Sequence, residues 1–148
     1  LSRQGVPVLN KNLDFVIDGV SKGAYSILDC DNPELIFIAT GSEVSLALEV
    51  AEKMSDKKIR VISMPCREIF EQQSDDYKNS IIPNRGAMKI SMEAGITMGW
   101  EKYIGVNGLS IGIDHYGASA PGKDLSEEFG FTSEKVENKI RDHLSKLL

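Results

Sequence analysis

Short unbroken apolar blocks alternate along this chain with longer stretches in which apolar residues recur every three or four positions, the two periods expected of strands and helices. Leu35-Ile36-Phe37-Ile38-Ala39 is a continuous run rich in β-formers, which predicts a strand covered on both faces. Immediately afterwards Val44, Ala47, Leu48, Ala51 and Met54 fall at helical spacing, with Glu49, Glu52 and Lys53 on the other side, so an amphipathic helix follows. Thr40 and Glu43 stand at capping-box spacing, with Ser42 as the alternative cap. Asp56-Lys57-Lys58 ends this helix, and 59–63 is a second β-rich block. Strand, helix and strand together predict a βαβ unit with a parallel crossover.

The same logic carries through the rest of the chain. A first strand is expected at 24–28, closed by the turn residues Asp31-Asn32-Pro33, where proline fixes φ and Asp and Asn favour turns. Pro65 stops the strand before it, and short helical pieces are expected at Ile69-Phe70 and 77–81. A core strand follows at 88–92, a short helix at Trp100 to Tyr103, and another strand at 110–113. Residues 117–122 have loop chemistry, and 125–129 a helical turn or two. The closing helix spans about 133–148, with Val136, Ile140, Leu144 and Leu147 on one face and Glu134 suited to its positive end. The segment 1–20, broken by Gly5, Pro7 and the polar Asn10, Lys11 and Asn12, reads as an irregular linker into a domain at 21–148. The fold class expected is α/β: a three-layer α/β/α sandwich on a mostly parallel sheet.

Composition narrows the function classes. At 148 residues, 41% hydrophobic and 26% charged, the chain is sized and balanced for one globular domain with its own core. A net charge of −5 without a basic cluster argues against nucleic-acid binding, which needs a concentrated cationic face. The longest apolar runs are too short to span a bilayer. Cys30 and Cys66 sit in apolar surroundings without CxxC spacing and are expected to be buried thiols. The chain opens on Leu1 with no signal-like segment, which suggests a piece of a longer polypeptide.

Candidate chemistry is sparse. Gly41-Ser42 joins a strand to a helix, where backbone N–H groups can hold a phosphate, but neither GxGxxG nor GxxxxGK[ST] is present and a plain strand-to-helix turn is the stronger explanation. His115 and His143 are the only histidines. His143 is expected to face solvent, and adjacent Asp114 and His115 point in opposite directions on extended backbone. Glu93 stands at the carboxyl end of a core strand, where open α/β sheets bind ligands; its ordinary role is to hold loop amides. Read from its residues, the chain is a single α/β domain without a self-contained catalytic, cofactor or metal site.

The order of motifs is more specific. Leu1-Ser2-Arg3-Gln4, Pro7, the run from Ile38 to Val44 (Ile-Ala-Thr-Gly-Ser-Glu-Val), Ser63-Met64-Pro65, Glu93-Ala94-Gly95 with Gly99-Trp100, Gly112-Ile113-Asp114, the run from Tyr116 to Pro121 and Phe129-Gly130-Phe131-Thr132 together resemble the final domain of transketolases. The resemblance covers essentially the whole chain. It implies a polypeptide that moves a two-carbon ketol unit from a ketose phosphate to an aldose phosphate. It also implies thiamine diphosphate and Mg²⁺ bound by segments outside these residues, and a cytoplasmic homodimer. The stretch alone is then expected to be inactive. Arg3 is similar to the family's substrate-phosphate ligand, and a guanidinium's planar fork of donors suits phosphate oxygens. His115-Tyr116 and Cys66-Arg67 depart from residues frequent in the family. His115 near neutrality also offers the loop pH sensitivity. Two alternatives stay open: another thiamine-diphosphate enzyme (a deoxyxylulose-phosphate synthase or a 2-oxoacid dehydrogenase β-chain), or a non-enzymatic α/β binding module.

Overall fold

The computed structural model describes residues 5–147. The apolar blocks form five strands: β1 (Tyr25–Leu28), β2 (Leu35–Ala39), β3 (Ile59–Ser63), β4 (Met88–Met92) and β5 (Leu109–Ile111). They build one sheet in the order β1-β3-β2-β4-β5. Pairings β3-β2, β2-β4 and β4-β5 are parallel, and edge strand β1 runs antiparallel to β3. The sheet is therefore mostly parallel, as the βαβ pattern predicts.

Helices cover both faces because alternate residues of each central strand point to opposite sides. Leu35, Phe37 and Ala39 of β2 join Ile90 and Met92 of β4 beneath α2 (Glu43–Lys53) and α7 (Ser133–Ser145), which contribute Val44, Ala47, Val50, Val136 and Ile140. Ile36 and Ile38 look the other way and pack with Ile62, Met64, Phe70, Ile82 and Trp100. That second layer is made from α3 (Arg67–Glu71), α4 (Asp75–Ile81) and α5 (Glu101–Ile104). All five residues of β2 are buried, and each large apolar side chain so placed contributes about 1.5–3 kcal/mol. The α/β/α sandwich expected from the sequence is what forms.

Several boundaries differ from expectation for local reasons. Residues 13–21 are not irregular: they form α1 (Leu13–Ser21), started by Asn12, whose side-chain oxygen accepts from the Phe15 amide at 3.1 Å. Its Phe15 ring meets Tyr25 of β1 edge-on at 5.5 Å. β5 stops at Ile111 because the Ile113 amide leaves the ladder to bond the Gly95 carbonyl at 2.7 Å. The short helix α6 (Gly122–Glu128) begins three residues earlier than expected. The last helix ends at Ser145, where the Lys146 amide turns back onto the His143 and Leu144 carbonyls. Leu147 thus lies beyond the helix and half exposed. Neither cysteine is fully buried; both are free thiols at intermediate depth, and the Cys66 thiol donates to Glu68 at 3.3 Å.

Ion pairs stitch the periphery. Lys57 meets Glu34 at 2.9 Å, Arg141 meets Asp56 at 2.8 Å and Lys102 meets Glu71 at 2.8 Å. The hydrogen bonds from these cations hold the Glu34, Asp56 and Glu71 carboxyls below their ordinary range. A carboxyl whose folded value is lowered binds fewer protons than in the unfolded chain, so its contribution is present above the ordinary range and is lost as pH falls through the lowered value. The thermal midpoint should stay level from neutrality down to about pH 5 and decline on acidification below about pH 4. A midpoint that rises on acidification through that window would contradict the assignment.

Candidate functional site

The carboxyl ends of the parallel strands bring most of the motifs together. Glu93, the first residue after β4, reaches three side-chain donors: Thr40 Oγ1 at 3.2 Å, Arg67 Nη2 at 3.3 Å and Trp100 Nε1 at 2.9 Å. This corrects the expectation that Glu93 holds loop amides. Its partners come from the ends of β2, the start of α3 and the loop before α5, so one carboxylate ties three crossovers. The Arg67 guanidinium also lies 4.5 Å from the centre of the Trp100 ring, a cation–π stack that fixes its plane. The unusual Cys66-Arg67 pair thus falls at this junction, with Arg67 as part of it.

Trp100 is only 1% exposed. A buried indole needs an acceptor for its N–H, and the Glu93 carboxylate supplies it.

The amides that open α2 after the Gly41-Ser42 turn are spent on backbone carbonyls. Glu43 N donates to the Thr40 carbonyl at 3.1 Å, Val44 N to Gly41 at 3.4 Å and Ser45 N to Ser42 at 3.3 Å. The capping box expected from Thr40 and Glu43 is absent as well. Thr40 Oγ1 is turned to Glu93, while the Glu43 carboxylate accepts from the Ser42 hydroxyl at 2.8 Å and from the Ala94 amide at 3.3 Å. Gly41 has φ +53 with open space where a Cβ would stand, so glycine serves the backbone conformation there. Two carboxylates at this turn make it a poor phosphate cradle.

The remaining motifs interlock. Asp114 accepts from the Thr97 amide at 2.8 Å and from its hydroxyl at 2.9 Å. Those bonds, the amide's first, hold its carboxyl below the usual range. A Cβ on Gly112 would stand 2.7 Å from the Gly95 carbonyl oxygen, so the loops after β4 and β5 can approach only with glycine there. His115 lies exposed, its Nδ1 2.9 Å from the Tyr116 carbonyl and its ring 5.1 Å from Phe129. His143 is half-buried and does not simply face solvent, with Nε2 2.9 Å from the Asn107 carbonyl. Beyond Asp114 the chain through Pro121 is exposed. Arg3, the expected phosphate ligand, lies outside the described residues.

Chemically this edge is a scaffold. Among the described residues no three His, Cys, Asp or Glu side chains gather as a metal-binding group. They also do not fit a diphosphate, whose expected helix start is spent on backbone carbonyls. Glu93 is engaged by a cation and two neutral donors. Several of the sequence motifs mark positions where loops lock to one another, Gly112 against Gly95 and Asp114 against Thr97.

Comparison with known proteins accounts for this combination. Residues 23–132 match the family described as the transketolase-like TK C-terminal domain. A transketolase of Staphylococcus aureus is 45% identical over 143 residues, which is 95% of this chain and 22% of that protein. The structure of transketolase from Leishmania mexicana superposes with a TM-score of 0.81 and 40% identity, over 88% of this chain and 19% of that one. Transketolase from Pichia stipitis, in complex with sedoheptulose-7-phosphate, gives a TM-score of 0.80 and 34% identity over 87% of this chain and 19% of that one. This chain spans about a fifth of the length of these relatives, and over that stretch both its sequence and its sheet follow theirs. It belongs to the transketolase C-terminal domain family.

Proposed function

We propose that this chain is the last domain of a transketolase, and that the polypeptide containing it transfers a two-carbon ketol unit from a ketose phosphate to an aldose phosphate. The observation that carries the reading is the 45% identity to a transketolase, sustained over 95% of the chain. The Pichia stipitis relative binds a ketose phosphate, which supports substrates of that class. Thiamine diphosphate and Mg²⁺ would supply the carbanion chemistry when bound, on segments other than those described. The domain's own tasks are to lend a substrate-phosphate ligand and to dock against the rest of a cytoplasmic homodimer.

Exposed apolar side chains support the docking role. α1 carries Leu13, Ile17 and Val20 at 68%, 58% and 44% exposure, and the strand-end loops add Ile96, Met98 and Tyr116 at 57%, 72% and 99%. Exposed apolar surface marks contact sites, and α1 follows Arg3 by ten residues in the sequence. On this reading 1–20 links the domain at 21–148 to the substrate site. No helix among the described residues is long and apolar enough to cross a membrane.

The phosphate role falls to Arg3. In the polypeptide complete with its upstream segments, Arg3→Ala should raise KM for phosphorylated sugars at least tenfold, the loss of one charge-assisted bidentate contact. KM for unphosphorylated analogues should change little. Equal losses for both substrate types would remove Arg3 from the phosphate site.

A further inference from the structure

At the opposite end of the sheet, the amino ends of β4 and β5, lies a cleft of about 800 Å³, within the range of small-molecule sites. Four cationic residues line it, Lys57, Arg85, Lys89 and Arg141, and among the described residues no carboxylate side chain does. That is unexpected in a chain carrying 22 acidic against 17 basic residues. Lys57 and Arg141 have acidic partners outside the cleft. Arg85 and Lys89 form no ion pair among the described residues.

Lys89 is the decisive side chain. It is 9% exposed, on β4 between the apolar neighbours Met88 and Ile90. Burial alone pushes its ammonium below the usual lysine range, with no carboxylate to counter it. Its stem is buried while its ammonium reaches the clefts, because no buried side-chain nitrogen is left unpartnered among the described residues. Lys89 also borders a second cleft of about 520 Å³, which shares Asn84 and Gly105 with the first. The carboxylates on that side are already engaged: Glu71 by Lys102 and Asp75 by Lys78. The wall beyond Asn84 is apolar, with Val106 and Leu147 exposed beside Leu144.

We propose that this cleft binds a small organic phosphate: the anionic group between Lys89 and Arg85, the apolar body against Val106, Leu144 and Leu147. The site lies at the end of the sheet away from the strand carboxyl ends. An anion there supplies a counter-charge to Lys89, and Arg85, exposed, closes over it as a second donor. The geometry does not depend on the ketol-transfer reading.

Phenyl phosphate is the probe, with inorganic phosphate as its headgroup control, titrated into the chain and followed by amide chemical shifts. Saturable shifts centred on residues 84–89 and 104–108 are expected, with phenyl phosphate binding several-fold more tightly than inorganic phosphate. Lys89→Met should weaken phenyl phosphate at least tenfold while its thermal midpoint stays at or above that of the parent, because methionine keeps the buried stem and the ammonium it removes makes no ion pair among the described residues. Arg85→Met, a change at an exposed position, should weaken it about threefold to tenfold without moving the midpoint. Saturation elsewhere, no saturation, or unchanged affinity in both variants would overturn the site. Should Lys89→Met fail to fold, the Arg85→Met titration decides alone. Equal affinities for the two probes would overturn the role of the apolar wall.

Discussion

Replacing Trp100 by alanine should destabilise the domain by about 3–5 kcal/mol, the range for emptying a large buried aromatic site. At roughly 2–4 °C per kcal/mol, the thermal midpoint should drop by roughly 6–20 °C. Two losses combine. The indole fills the layer between β2 and α3, packing in one cluster with Ile38, Met64 and Phe70 and with Tyr103 at 5.8 Å between ring centres. Its N–H is also one of three donors to Glu93, and the truncated site leaves that carboxylate with Thr40 and Arg67 only. Trp100→Phe separates the two effects, because phenylalanine retains most of the volume and none of the hydrogen bond. It should cost about 1.5–3 kcal/mol, the scale of a hydrogen bond to a charged group. A midpoint for Trp100→Ala within 2 °C of the parent, on the order of the change from an exposed substitution, would show that the Glu93 junction does not hold the crossovers together.

Gly23→Ala should be as damaging, although it adds one methyl group. Gly23 sits between α1 and β1 with φ +82, and a Cβ there would stand 2.4 Å from both the Cys66 carbonyl oxygen and the Phe70 amide nitrogen. The left-handed conformation costs an L-residue about 1–2 kcal/mol. The overlap adds more, because both atoms belong to the backbone of α3 and its cap and cannot rotate away. The Gly23 carbonyl also accepts from the Cys66 amide at 3.1 Å, so any retreat of the loop breaks that bond. The expected result is loss of soluble chain, or a midpoint lowered by at least 10 °C, roughly 3 kcal/mol or more. Gly41→Ala is the control: its φ is +53 but nothing lies within 4 Å of the added carbon, so only the conformational cost applies. Equal midpoints for the two variants would refute the steric account.

The central sheet was legible in the sequence because its strands are buried on both faces and announce themselves as apolar runs. β2 is the clear example, its five apolar letters matching five buried residues. The direction of β1 was not legible, since an edge strand's orientation depends on which neighbour it meets. α1 was hidden by Gly5 and Pro7 upstream. Its signal was nevertheless there, in the Asn12 cap and the helical spacing of Leu13, Val16, Ile17 and Val20. Those four residues share one face of the helix, and most of that face is left exposed within the domain.

The site was legible as motifs and illegible as contacts. Glu93 could be placed at a strand end, but Thr40 lies 53 residues away and Arg67 26. Pairing across such separations follows from strand order, which a sequence does not state. The ordered motifs identified the family while concealing that several of them, Gly112 with Gly95 and Asp114 with Thr97, are stitches between loops. Lys89 was the overlooked signal. A buried lysine at the second position of a core strand, between Met88 and Ile90, has to be explained by its surroundings, and the clefts at the amino end of β4 give those surroundings.

The identity of the whole rests on one activity. The polypeptide that contains this domain together with its upstream segments should, with thiamine diphosphate and Mg²⁺ supplied, convert a ketose phosphate and an aldose phosphate into the products of two-carbon transfer. The 148-residue chain assayed alone under the same conditions should show none. Ketol transfer by the isolated chain, or its absence from the complete polypeptide loaded with cofactor, would contradict the account.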